Sequence, residues 1–215
     1  MNITHAEHEE IVGDRLEAIF NRQKELMNKY HDIELRSGLL QTEDCPVNLN
    51  DKRGQARLKD FAWRITEEVG EALDARDDEE HYKEELIDGL HFLTEFTILS
   101  GYDLIGDIKK EIKKQGKEYW DCLSMIYNMV DLYDLEKRSF VEELVEQLGM
   151  ACNCLKNKPW KQTNMVTDVN EFYKRVKNVW ITYIGLLSLK MKLDEIADTY
   201  LRKSQVNKFR QRSNY

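Results

Sequence analysis

The chain has 215 residues, 33% charged and 41% hydrophobic, with only two prolines and ten glycines. That length suffices for a buried core and implies a single domain over residues 1–215. The formal net charge of −8 argues against nonspecific nucleic-acid binding as a main role, while the lack of a signal peptide or long apolar run implies a cytoplasmic chain with no membrane span.

Apolar residues recur at helical spacing along most of the chain, so the fold class is all-α. A first helix is expected from about His5 to about Leu35, stopped at Ser37-Gly38. The loop "QTEDCPVNLNDKRGQ" follows, rich in turn formers. A second helix is expected from about Ala56 to about Ala75, and "DARDDEEHY" is a tight acidic connection to a third. That helix runs to Ser100-Gly101, a C-cap pair. Asp103 is placed to cap "LIGDIKKEIKKQG". Further helical patterns cover about 119–135, 138–156, 168–190 and 193–210, with "LKNKPWKQTN" as the second clear break. Residues 104–137, with Tyr119, Trp120 and Tyr127, read equally well as core or as a lid. Cys45, Cys122, Cys152 and Cys154 form no C-x-x-C pair and have no histidine cluster beside them. They read as free core thiols rather than zinc ligands.

A faint repeat runs through this order. "EEVGEALDA" at 67–75 aligns with "EQLGMACNC" at 146–154, and "YKEELIDGLHFLTEFTI" at 82–98 with "YKRVKNVWITYIGLLSL" at 173–189. It implies two helical hairpins in a pseudo-symmetric bundle. Only the first copy keeps its acids, because Met150, Val176 and Val179 stand where Glu71, Glu85 and Asp88 stand in it.

The third helix poses the chemical question. "EELIDGLHFLTEFTILSG" is apolar around most of its circumference, as an interior helix is. Yet Glu85, Asp88, His91 and Glu95, spaced three, three and four, share one face. In the second helix Phe61, Ile65, Val69, Ala72 and Leu73 make an apolar stripe, with Glu68 inside it and Glu71 at its border. Two antiparallel helices joined by a short turn bring Glu68-x-x-Glu71 opposite Glu85-x-x-Asp88. Four carboxylates in an apolar setting repel one another, and all-oxygen ligation suits Mg²⁺, with Mn²⁺ as a substitute. The bland alternative is two solvated faces laced with salt bridges. Residues 201–215 carry Arg202, Lys203, Lys208, Arg210 and Arg212 and no acid; such a tail either brackets a phosphorylated ligand or is solvated.

These segments resemble a known family. "ITEEVGEALDA" followed by "EELIDGLHFL" is similar to the E-x-x-E…E-x-x-D core of the all-α nucleoside triphosphate pyrophosphatases. "TYLRKSQVNKFRQRSNY" resembles the Y-x-x-K-N-x-x-N-x-F-R-Q-x-x-G-Y signature of the dimeric dUTPases and the T-even phage dCTPase/dUTPase, and "RQKELMN" resembles that family's Q-x-x-L-N segment. The resemblance implies a homodimeric hydrolase of the all-α pyrophosphatase type acting on a small-molecule nucleotide. It implies that Glu68, Glu71, Glu85 and Asp88 bind Mg²⁺, and that Glu71 also orients or deprotonates the attacking water. It places Gln23 and His91 near base and sugar, and Lys203, Asn207, Arg210 and Tyr215 at the phosphates.

The chain departs from the pattern at Met27, Ser204 and Asn214, and it lacks the family's W-K-x-W-K segment between the acidic motifs. "KPWK" at 158–161 comes later, either as a substitute for that segment or as an ordinary loop. The expected reaction is hydrolysis of a pyrimidine deoxynucleoside triphosphate, dUTP first, to monophosphate and pyrophosphate. dCTP, a broad dNTP range, and a non-catalytic helical scaffold with a basic tail remain as alternatives. Gln23 does not decide the base, since a side-chain amide presents either hydrogen-bond sense.

Overall fold

The computed structural model describes residues 3, 6–8, 10–130 and 139–212. Every regular element of appreciable length among them is an α-helix: α1 Arg15–Ser37, α2 Lys52–Asp74, α3 Glu79–Ser100, α4 Leu104–Lys114, α5 Cys122–Asn128, α6 Phe140–Cys154, α7 Val169–Ser188 and α8 Leu193–Arg212. The boundaries follow capping chemistry. Asp14, Asp51, Asp78, Asp103, Asp121, Ser139 and Asp168 each cap the helix that follows, with side-chain oxygens accepting first-turn N–H groups. Such caps are worth about 1 kcal/mol each, and they account for a share of the chain's acids that does no chemistry. Gly38 and Gly101 end α1 and α3 with φ of 70° and 73°, a conformation glycine adopts without cost.

The caps also correct the sequence reading. The first helix begins at Arg15, not near His5, because Asp14 accepts from Leu16 N and Glu17 N; His5 itself lies outside the described residues. The second begins four residues earlier than expected, at Lys52, because Asp51 accepts from Arg53 N and Gly54 N. The pattern read over 119–135 is the short α5, and its end beyond residue 130 lies outside the described residues. Leu73, assigned to the apolar stripe, is 40% exposed. Of the cysteines only Cys122 is fully buried, and Cys45 is exposed.

Helix α3 is the axis of the molecule, touching α1, α2, α7 and α8. The most extensive helix pairs are α2 with α3 and α6 with α7, the two hairpins that the faint repeat implies. Tyr183 on α7 donates to the Leu86 carbonyl at 2.8 Å, and Trp180 Nε1 donates to Thr97 Oγ1 at 2.8 Å. Both polar tips are therefore satisfied inside the core. Helices α4 and α5 belong to that core through Leu104, Ile108, Ile112, Leu123, Met125 and Ile126, while Tyr119 and Tyr127 are exposed; residues 131–137 lie outside the described residues.

The "KPWK" loop is held at the far end of α2. Lys52 Nζ donates to the Lys161 carbonyl. Buried Asn157 binds Asn50 O and Met165 O at 2.9 and 2.8 Å, and its N–H donates to Gln55 Oε1 at 2.7 Å. Glu68 lies sixteen residues further along the same helix, about 24 Å at 1.5 Å per residue. The loop is thus an anchored connection, remote from the acidic motifs.

Candidate active site

The α2–α3 hairpin brings three of the four expected carboxylates together. Ligand oxygens of Glu68, Glu85 and Asp88 lie within 4.8 Å of one another. Glu71, one turn beyond Glu68, lies outside this group and is exposed. It is still close enough for its charge to act on Glu68. Burial, with repulsion from Asp88, Glu71 and Glu85, pushes the Glu68 carboxyl up to about 8. Burial also lifts Asp88, to about 6, against the pull of Lys203. Clustered half-buried carboxylates of this kind are costly as anions unless a cation joins them, and an all-oxygen donor set fits a hard divalent ion. The residues present therefore suit Mg²⁺.

Lys203 departs from expectation. Its ammonium is only 3% exposed and sits 2.6 Å from Asp88 Oδ2 and 2.5 Å from Glu84 Oε1. Burial disfavours its charge, but these two carboxylates outweigh that and raise its pKa. The side chain is an internal counter-ion to the acidic cluster rather than an open phosphate ligand. Glu85 has a second neighbour, His81 Nε2, at 2.7 Å.

Beside the cluster opens a cleft of about 320 Å³, between α1, α2, α3 and α8. Gln23, Glu68, Asp88, His91 and Asn207 line it, which unites metal-ligand and base-side candidates in one depression. Tyr30, Glu34, Arg64, Phe92 and Glu95 line it as well, and sequence reasoning gave none of them a role in the site. The signal for Glu95 was present, since it continues the polar stripe of α3. Tyr30 and Arg64 carried no signal, because helical spacing does not tell which neighbour a side chain meets.

His91 is buried, and its ring stacks on Tyr200 with centroids 3.8 Å apart. Burial and the nearby Lys203 charge drive its pKa down to about 3, so the imidazole is neutral. Arg64 lies over the rings of Phe61 and Phe92 at 4.7 and 5.6 Å. Arg210 is exposed on the last turn of α8 and is not among the residues that line the cleft. Tyr215 lies outside the described residues.

A family model described as dUTPase matches residues 71–215. The span takes in Glu71, Glu85, Asp88, His91 and α8, while Glu68 and Gln23 precede it. No curated protein and no solved structure matches the chain. Among the described residues no helix is long and apolar enough to cross a membrane.

Proposed function

This chain belongs to the dUTPase family, and on that premise we propose that it is a Mg²⁺-dependent hydrolase converting dUTP to dUMP and pyrophosphate. The observation that carries the reading is the convergence of Glu68, Glu85 and Asp88 beside a cleft of about 320 Å³ that Glu68 and Asp88 line. These three residues, with Glu71 at the edge, would hold the ion. When bound, Mg²⁺ supplies charge neutralisation for the triphosphate and acidifies water.

The remaining chemistry falls to the chain's own groups. Glu71, exposed and acidic, is assigned by family resemblance to take the proton of the attacking water. Lys203 fixes Asp88 and balances the cluster's charge. Asn207 and the cleft rim hold the substrate, and Arg210 and Tyr215 are assigned to the phosphates by family resemblance. Phe92 and Leu26 offer apolar surface to the base, and neutral His91 offers a hydrogen bond without adding charge. The same resemblance supports a single catalytic domain over residues 1–215, a homodimer and a cytoplasmic enzyme.

The test is a panel of deoxynucleoside triphosphates with Mg²⁺ and product separation by ion exchange. dUMP and pyrophosphate from dUTP are expected. No product from any nucleotide with Mg²⁺ or Mn²⁺ would sink the reading.

A further inference from the structure

A glutamine near a base is ambiguous, because turning its amide over exchanges donor for acceptor. Here the amide of Gln23 is held from both ends. Its Oε1 accepts from the Tyr200 hydroxyl at 2.7 Å and pairs with His91 Nδ1 at 2.9 Å. Its Nε2 donates to Glu95 Oε2 at 2.9 Å. Burial pushes the Glu95 carboxyl up to about 7; above that pH it is ionised, has no proton to give, and accepts only from the nitrogen end. That fixes the amide, and the amide in turn fixes His91 as the Nδ1–H tautomer. Both lone pairs of the Gln23 carbonyl are then occupied. One Nε2–H is left over on a side chain that lines the cleft. His91 Nε2 is buried without a protein partner, and in this tautomer it is an acceptor.

We propose that Glu95 is the specificity-positioning residue of the reaction: it locks Gln23 as a donor toward the cleft, so that a 4-oxo pyrimidine is accepted and a 4-amino pyrimidine is refused. This rests on the dUTPase reading of the cleft. The free Gln23 N–H meets O4 of uracil as an acceptor, whereas the N4 amino group of cytosine meets it donor to donor. Glu95 acts through Gln23 rather than on the reacting atoms. In Glu95→Gln the side chain donates as well as accepts, so Gln23 is free to turn over and offer its carbonyl to an amino group.

The test compares kcat and KM for dUTP, dTTP and dCTP at about pH 8.5, where Glu95 is ionised, in the wild type and in Glu95→Gln. The lock predicts that the variant gains on dCTP relative to dUTP by roughly tenfold or more, the scale of one mismatched base contact, and mainly through KM. The dTTP to dUTP ratio should hold, because both bases carry a 4-oxo group; general damage to the fold would not spare it. Nitrogen-15 spectra of the His91 ring give a second readout that needs no variant, with Nδ1 protonated and Nε2 bare in the wild type. An active variant whose dCTP to dUTP ratio is unchanged, or an Nε2-protonated ring in the wild type, overturns the lock. A wild type that hydrolyses no pyrimidine nucleotide overturns the dUTPase reading and the specificity assignment together; the ring spectrum then tells whether the lock itself exists.

Discussion

Glu68 and Glu71 sit one helical turn apart, yet their surroundings differ. Glu68 is half-buried among carboxylates and Glu71 is exposed at the edge. Replacing Glu71 by Gln removes the proposed base and leaves the three-carboxylate cluster intact. Turnover should fall about 10²–10⁴-fold, the usual contribution of general-base catalysis, while Mg²⁺ still raises Tm. Replacing Glu68 or Asp88 by the amide should abolish both turnover and the Mg²⁺ effect. Calorimetry beside a turnover assay separates the two outcomes.

The pH dependence has a definite sign. The Glu68 carboxyl titrates at about 8 in the fold against an ordinary 4.5, so the metal-free protein retains a proton that the unfolded chain releases. That contribution is complete below the ordinary value and is lost as pH rises through about 8. A divalent ion takes the proton's place, so the Tm gain from saturating Mg²⁺ should be larger near about pH 8.5 than near about pH 5.5. An equal gain at both would mean that Glu68 is not a ligand.

The α2–α3 hairpin works because its two acidic motifs approach closely, and Gly89 is what allows the third helix of the contact to join. A Cβ at Gly89 would stand 2.0 Å from the Tyr183 hydroxyl and 3.3 Å from Glu68 Cβ. Tyr183 has no slack, since its hydroxyl is committed to the Leu86 carbonyl. Gly89→Ala should therefore cost roughly 1–3 kcal/mol, as overpacking in a core does, and lower Tm by roughly 2–12 °C in a chain of this length. Thermal denaturation measures this directly, and an unchanged Tm would mean that Tyr183 relaxes freely. Helix α8 depends on charge as well as packing. Lys203→Met would strand Asp88 and Glu84 without their buried partner, a loss of about 3–5 kcal/mol for broken buried pairs. Added Mg²⁺ should recover part of it.

At the scale of the molecule, α3 gathers α1, α2, α7 and α8, and the site lies where α1, α2 and α8 meet its polar face. Residues from Gln23 to Asn207 enter one cleft, so the candidate site needs the whole arrangement rather than the α2–α3 hairpin alone. The proposed homodimer is checked by sedimentation, with a species of twice the 25.6 kDa chain mass expected at micromolar concentration. A monomer there would restrict the resemblance to the chemistry.

The sequence by itself determined the all-α class, the order of the helices and the carboxylate motifs, because periodicity, caps and short spacings are local properties. It misplaced the starts of the first and second helices, the extent of the short α5 and the exposure of Leu73 and Cys45, where a cap or neighbour overrides the pattern. What only the tertiary structure decided is which distant groups meet: Lys203 with Asp88 and Glu84, and Tyr200 and Glu95 with Gln23. A side-chain amide has no preferred sense along the chain, and a lysine has no prescribed partner. Contacts between α1, α3 and α8 fix both, because a buried amide or ammonium left unpaired is costly.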